Sequence, residues 1–311
     1  MANQYSVPAA ALTKDHPIDA IDKAIDVLWM RRNEFVGNSA GFFDVDQKSG
    51  GLSHVISSVG SALGLPPRNE DTEALPYLVP PSGFKKTFTV INRRSGIRVT
   101  RTALEADRFD VIVGMTAGQI KSSMQSDEYE RISIFDNAFT GTAGADSLSL
   151  CNDSHPHENP EAGTWDNLGT GALTGPNLQA LRLVLRKMTN EQNDPDPVIP
   201  ATLFVPNDLE QKALELTGKG AGKPEGALNE ENVLLPGLSV KVNDYLSSAT
   251  AYFLVGDRTG PEKGLHEVVL SDWSIANNTP ANADIMIDKR IRGVKVFGFT
   301  RSKNLGGSTG A

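Results

Sequence analysis

The chain has 311 residues, which is enough for about two domains with buried cores of their own. Its formal net charge is -8, with 38 acidic and 30 basic residues, and this excess of acid argues against a general affinity for nucleic acid. The single cysteine excludes an internal disulfide and indicates a reducing compartment.

An amphipathic helix is predicted near the N-terminus, in the segment DHPIDAIDKAIDVLWMRRNEF from Asp15. Asp15 is a suitable N-cap, and Pro17 falls in the first turn, where a missing N–H costs little. Apolar residues then follow at spacings of three and four on one face, namely Ile18, Ile21, Ile25 and Leu28. Residues 37–83 carry repeated glycine and proline with only short apolar pieces. We expect irregular chain there, either disordered or lying along something outside its own core.

A β-hairpin is predicted from Phe84 onward. Residues 87–90 and 97–100 both alternate between polar and apolar side chains, and RRSG at 93–96 supplies a turn. Up to Glu105 this segment has no acidic residue but six basic ones, Lys85, Lys86, Arg93, Arg94, Arg98 and Arg101. An isolated hairpin is marginally stable in water. The segment is therefore either a solvated surface hairpin or an arm that lies across an acidic surface of another subunit.

The rest of the chain mixes helices and strands, which predicts an α+β protein. A long helix from Asp110 to about Thr140 would bury one face, consisting of Ile112, Met115, Ile120, Met124, Ile132 and Phe135. Further predicted elements are a helix at 176–188, a buried strand at 201–206 with a helix to Gly218, a flexible loop at 217–230, short strands at 238–242, 252–255 and 267–270, and a long strand at 284–303. We find no internal repeat, signal peptide or transmembrane segment.

The octapeptide CNDSHPHE at 151–158 looks like a metal site, because it offers five possible ligands: Cys151, Asp153, His155, His157 and Glu158. Zinc sites usually draw their ligands from two or more separate elements, and no CxxC, HExxH or second His/Cys cluster is present. Loops rich in Asn, Asp, Ser and Pro are commonly exposed turns. A polar loop is therefore favoured, and a metal-dependent enzyme that uses residues 151–157 is kept as an alternative.

Other catalytic or ligand motifs are incomplete. GMTAGQIKS from Gly114 has the wrong glycine spacing for a phosphate loop, and GKGAGK from Gly218 does not follow a strand. DVDQKSGG from Asp44 resembles only the first half of a calcium loop and lacks its distal glutamate. The lone Cys151 has no assigned base. We therefore predict no enzyme, no catalytic residue, no metal and no cofactor.

Several ordered segments resemble the major capsid proteins of tailed bacteriophages with the Hong Kong 97-like fold. A recurring family pattern, in which SHP belongs to a structural loop, is matched in the segment from Ile134. The matching residues are Asn137-Ala138-Phe139, Gly144-Ala145-Asp146, Leu150 and His155-Pro156. The resemblance runs from about residue 75 to 300 and rests on order and spacing. The segments are PPSGFKKTFTVINRRSGIRVTRTALEADRF from Pro80, IFDNAFTGTAGADSLSLCNDSHP from Ile134, GTWDNLGTGALTGPNLQALRLVLRKM from Gly163 and ATLFVPNDLEQKALEL from Ala201.

The resemblance implies a subunit with four parts. They are an N-terminal arm (1–75), an extended β-hairpin loop (76–108), a peripheral domain with a long spine helix and β-sheet (109–175 and 279–311), and an axial α/β domain (176–278). It also implies a major capsid protein that assembles into hexamers and pentamers of an icosahedral shell around double-stranded phage DNA. Expected partners are further copies, portal and scaffolding proteins and a decoration protein, with no membrane. The expected location is the virion, with assembly in the host cytoplasm.

Inter-subunit contacts are expected from the extended loop. The residues are Lys85, Lys86, Phe88, Arg93, Arg94, Arg98 and Arg101. Surface ion pairs contribute only about 0–1 kcal/mol each, but a pair made by every subunit is repeated throughout a shell. We expect neither proteolytic removal of an N-terminal segment nor covalent crosslinks through Lys85 or Lys86. An encapsulin-like compartment that loads cargo protein is the alternative shell function.

Overall fold

The computed structural model describes residues 17–32, 37–57, 83–106, 109–141, 144–218, 237–277, 285–301 and 303–311. Within these ranges the α-helices are α1 (Pro17–Met30), α2 (Arg101–Glu105), α3 (Phe109–Asp136), α4 (Gly175–Arg186) and α5 (Glu210–Leu216). None of them combines the length and apolar character needed to cross a lipid bilayer. The proposed N-cap Asp15 and the loop at 217–230 beyond Gly218 lie outside the described residues.

Within the described ranges the strands form two larger sheets and two small ones. They are β1 (Asp44–Gln47), β2 (Ser53–Ser57), β3 (Lys85–Thr89), β4 (Ile91–Thr100), β5 (His155–Pro156), β6 (Thr164–Trp165), β7 (Leu168–Gly169), β8 (Pro200–Pro206), β9 (Ser239–Asn243), β10 (Tyr252–Gly256), β11 (Leu265–Asn277), β12 (Ile285–Phe299) and β13 (Leu305–Ser308). One sheet has the order β1-β11-β12-β4 and the other β7-β13-β10-β8-β9. The pairs β2-β3 and β5-β6 stand apart. The predicted α+β class is confirmed.

The helices α1, α3, α4 and α5 form where the sequence predicts helices, whereas α2 was not predicted. In α3, Ile112, Ile120 and Ile132 are buried, but Met115 is 72% exposed and does not belong to the predicted buried face. In α4 the Thr174 side chain accepts a hydrogen bond from the backbone N–H of Asn177, which caps the helix. Its buried face consists of Leu178, Leu181 and Leu185.

The predicted hairpin of residues 84–101 is wrong, because its two strands do not pair with each other. β3 pairs with β2, and β4 pairs along its length with β12. The RRSG segment is an extended part of β4, with Arg93 opposite Gly293. Alternation alone shows that a segment is a strand but does not identify its partner.

Residues 37–57 are more regular than expected. β1 runs parallel to β11, and β2 makes an antiparallel ladder with β3.

Two strands pair across the predicted domain limits, because each has a partner strand that was assigned to the other domain. β11 pairs with β12 in the first sheet, and β13 joins β10 in the second. The division into four parts stays a prediction, and these pairings would shift its boundaries.

A phenylalanine-rich core connects α3 to both large sheets. The rings of Phe42 and Phe204 lie 5.1 Å apart between centroids, and those of Phe135 and Phe253 lie 5.2 Å apart. Tilted and edge-to-face rings of this kind pack favourably beyond the area that they bury. A second core lies beneath α4, and a third lies between α1, α3 and the first sheet.

Candidate assembly surface and buried ion networks

The predicted contact residues lie on β3, β4 and the start of α2 rather than on a free arm. Lys85 and Lys86 stand on β3 opposite Ser57 and Ile56 of β2. Arg93, Arg94 and Arg98 lie along β4, which is an edge strand of the four-stranded sheet. Charged side chains on an edge strand oppose uncontrolled pairing with other strands.

Three of these cations bind carboxylates of their own chain. Arg93 Nη2 lies 2.7 Å from Glu130 Oε1 of α3, and Arg98 Nε lies 3.3 Å from Asp288 Oδ2 of β12. Arg101 Nε is 4.0 Å from Glu105 Oε1, but both side chains are mostly exposed, so this pair contributes little. These three cations thus have partners within the chain, and the pairing of all six cations with carboxylates of an adjacent subunit stays a prediction.

Two cations remain directed at solvent. Lys85 and Arg94 are exposed, and within the described ranges neither has a carboxylate within 4.0 Å. Arg94 stands opposite the equally exposed Arg292 on β12, so two like charges lie side by side there. Like charges in this position are unfavourable unless an acidic group approaches from outside.

Phe88 lies in a hydrophobic core of its own chain. It is only 4% exposed and packs with Val90, Val268 and Val294. Its ring centroid lies 6.0 Å from that of His266. The predicted inter-subunit role of Phe88 stays a prediction, and the observed role of the side chain is to fill a core of its own chain.

Cys151, His155 and His157 of the octapeptide are buried, whereas Asp153 and Ser154 are exposed, so the expectation of an exposed loop holds only for its middle. His155 Nδ1 lies 2.6 Å from Asp146 Oδ2, and the imidazole stacks on Trp165 with 4.3 Å between centroids. Cys151 is buried, and burial raises the pKa of its thiol, which disfavours the nucleophilic thiolate.

The end of the octapeptide belongs to a network of buried charges. Glu191 Oε1 accepts from Arg301 Nη2 at 2.7 Å and from Lys303 Nζ at 2.9 Å. Glu191 Oε2 lies 3.4 Å from His157 Nδ1, and Arg301 Nη2 lies 3.7 Å from Glu158 Oε1. Burial alone would raise the pKa of Glu191, but His157, Lys303 and Arg301 together hold it well below its usual value. The loop is therefore connected to the chain's C-terminal segment and has a structural role.

A second network, which the sequence did not reveal, joins α3 to the four-stranded sheet. Lys295 Nζ lies 3.1 Å from Asp127 Oδ2, 3.2 Å from Glu267 Oε1 and 2.8 Å from Asp272 Oδ1. Arg131 Nη2 donates to Glu267 Oε2 at 2.9 Å. Burial lowers the pKa of Lys295, but the three carboxylates raise it overall. In the sequence, the signal for this network is a charged residue, Lys295, at a position of β12 that is flanked by apolar residues.

Glu128 extends these contacts to the other side of α3. It is 1% exposed and accepts hydrogen bonds from Ser39 Oγ at 2.6 Å and from Asn243 Nδ2 at 2.7 Å. The helix is thus bonded to the segment before β1 and to β9. Hydrogen bonds to charged groups are stronger than neutral ones. Together these networks hold the long helix in one register against both sheets.

Comparison with known proteins supports the resemblance noted in the sequence. A family model described as "Phage capsid protein" matches residues 85–302, which is more than half of the chain. No curated protein is similar enough in sequence to count as a relative.

The chain is similar to several solved structures at low sequence identity. A phage-related protein from Bordetella bronchiseptica RB50 is 10% identical with a TM-score of 0.54, and the match covers 92% of this chain and 96% of that one. The capsid of Cyanophage P-SCSP1u is 12% identical with a TM-score of 0.51, and the match covers 86% of each chain. An encapsulin complex from Synechococcus elongatus PCC 7942 is 10% identical with a TM-score of 0.49, covering 88% of this chain and 87% of that one.

The matched range begins at β3 and ends just beyond β12, so it includes the long helix and most strands of both large sheets. Both buried networks connect segments that are distant in sequence, which suits a subunit with a mechanical task. The chain belongs to the phage capsid protein family, has the Hong Kong 97-like fold and is a structural subunit of a virus shell.

Proposed function

We propose that this chain is the major capsid protein of a tailed phage and that its copies form hexamers and pentamers of an icosahedral shell. The observation that carries this proposal is the family match across residues 85–302, which contains α3 and the long strand β12. The shell encloses double-stranded DNA and is assembled in the host cytoplasm. The subunit has no catalytic role.

The β2-β3 pair supports assembly between copies. It is a two-stranded sheet separate from the two large ones, and Phe88 and Ile56 pack one side of it against Val268 and Val294 of the four-stranded sheet. Leu52 and Val55 are 68% and 55% exposed there. Lys85 lies at the end of β3 farthest from Phe88. A neighbouring subunit that supplies apolar and acidic groups would cover both features.

The charge balance suits a container for DNA. A chain with a net charge of -8 repels phosphates, so the nucleic acid stays mobile inside the shell instead of binding to its wall. Copies of the chain are the main partner. Portal and scaffolding proteins and a decoration protein complete the proposed set, and the inter-subunit contacts include Lys85, Lys86 and Arg94.

Negative-stain electron microscopy of the purified full chain, combined with analytical ultracentrifugation over a range of concentrations, tests the proposal. We expect closed shells or capsomers whose fraction rises with concentration and with addition of a scaffolding protein. Monomers alone under all of these conditions would contradict self-assembly. Shells that co-purify with a specific enzyme cargo and no phage DNA would favour the encapsulin-like alternative.

A further inference from the structure

A pair of carboxylates and a buried histidine lie together where β1 runs beside β11. Asp44 and Asp46 are two residues apart on β1, so their side chains share one face of the strand. The parallel register places Asp44 opposite His266. One carboxylate oxygen of each aspartate and one ring nitrogen of His266 all lie within 4.8 Å of one another. The three groups come from two strands that are 220 residues apart in sequence.

The charges of this cluster are not balanced by the described chain. Within the described ranges, neither Asp44 nor Asp46 has a lysine or arginine nitrogen within 4.0 Å, and the ion-pair contact of Asp46 is to His266 Nδ1 at 3.2 Å. Two carboxylates therefore lie close together beside an imidazole nitrogen, a set of oxygen and nitrogen donors that suits a metal cation.

The hydrogen bonds of His266 also fit a ligand. Its Nε2 lies 3.1 Å from Thr300 Oγ1, and that hydroxyl lies 3.5 Å from the carbonyl oxygen of Gly264. When the hydroxyl donates to Gly264, Nε2–H donates to the hydroxyl, and the lone pair of Nδ1 points at the carboxylates. A histidine that ligates a metal typically donates its other N–H in this way. His266 is 1% exposed, so its ring has little freedom to turn away.

We propose that Asp44, Asp46 and His266 bind a divalent transition-metal ion. Imidazole nitrogen suits Zn²⁺ and its neighbours, whereas carboxylate oxygen also suits Mn²⁺, and a mixed set selects a borderline ion over Ca²⁺, which prefers oxygen ligands. Asp46 has 32% of its side chain exposed, so the ion reaches the site from solvent and water completes its coordination. The bound ion connects β1 to β11. Because the unfolded chain does not hold the three ligands together, the ion stabilises the folded state relative to the unfolded one.

Calorimetric titration of the untagged full chain with ZnCl₂, MnCl₂ or CaCl₂ at neutral pH tests this proposal. We expect one Zn²⁺ or Mn²⁺ ion per chain, tighter than Ca²⁺, and a thermal unfolding midpoint that rises with the metal. Asp44→Asn, Asp46→Asn and His266→Gln should each weaken binding by about tenfold or more. Thr300→Val, which touches no metal, should weaken it by about tenfold through the orientation of the ring.

Asp153→Asn is the matched control, because Asp153 is an exposed aspartate of the other candidate loop. It should bind the metal as the unaltered chain does. The proposal is overturned if Asp44→Asn binds Zn²⁺ and Mn²⁺ unchanged, if Asp153→Asn abolishes binding, or if Ca²⁺ binds most tightly. Asp44 lies on an edge strand and is half-buried, so Asp44→Asn remains informative if His266→Gln fails to fold.

Discussion

His155 Nδ1 lies 2.6 Å from Asp146 Oδ2, with 2% and 0% of the two side chains exposed. This contact joins the loop after α3 to the strand pair β5-β6, where His155 stacks on Trp165. Burial alone would raise the pKa of Asp146, but His155 and the backbone N–H of Leu148 lower it overall. The ionised carboxylate is therefore preferred in the folded chain.

Asp146→Asn should lower the free energy of unfolding at pH 7 and weaken its dependence on pH in the acid range. The pKa of Asp146 lies below its usual 3.8 in the folded chain, so ionised Asp146 stabilises the fold above that pH, and this contribution is lost as the pH falls through the folded pKa. We expect a lower free energy of unfolding at pH 7 and a shallower loss of it below about pH 4. Urea unfolding of the unassembled subunit, followed by circular dichroism at several pH values, measures both. Equal acid dependence in Asp146→Asn and in the exposed Asp153→Asn would contradict this account.

Glu191→Gln should be strongly destabilising. The substitution keeps the shape but removes the charge that Arg301 and Lys303 share, and the three side chains are 2%, 7% and 12% exposed. Removing one partner of a buried ion pair typically costs about 3–5 kcal/mol, because the other charge is left uncompensated. Urea unfolding at pH 7 measures the change. Glu161→Gln, at an exposed position of the neighbouring turn, is the control. A loss below about 1 kcal/mol for Glu191→Gln would mean that solvent already screens the network.

Lys85→Glu with Arg94→Glu should block assembly without unfolding the subunit. Both side chains are exposed, so the change removes positive charge only from the proposed contact surface. Size-exclusion chromatography and electron microscopy report assembly, and thermal unfolding reports the fold. Arg93→Glu is the comparison variant, because Arg93 binds Glu130 of its own chain and its reversal should reduce stability. Normal shells from the Lys85/Arg94 double variant would show that these side chains make no essential contact.

The sequence predicts elements well where the pattern is local. The helix α4 and the long strand β12 both lie where the sequence predicts them. The partner of β4 was missed because it lies about 190 residues away and nothing local distinguishes pairing with β12 from pairing with β3. For the candidate site, the cations were found but their own-chain carboxylates were not. Asp288 faces Arg98 only after β12 and β4 have paired.

Two glycines should respond in opposite ways to alanine, because only one of them meets packed atoms. A Cβ at Gly293 of β12 would lie 2.7 Å from Trp273 Cδ2 and 2.9 Å from Cε3, within the rigid indole ring. The ring is 7% exposed, and its Nε1 donates to Asp127 Oδ2 at 2.8 Å. Gly293→Ala must therefore displace the ring or the strand, at a cost of about 1–3 kcal/mol.

Gly118→Ala in α3 is the matched comparison. No atom lies within 4 Å of the added Cβ there, and alanine favours a helix over glycine by about 0.5–1 kcal/mol. Urea unfolding of the unassembled subunits should thus give a loss of stability for Gly293→Ala and a gain for Gly118→Ala. If both variants gain stability, Trp273 is not held tightly against β12. If both lose it, the exposed face of α3 around Gly118 is constrained by a contact outside the described chain.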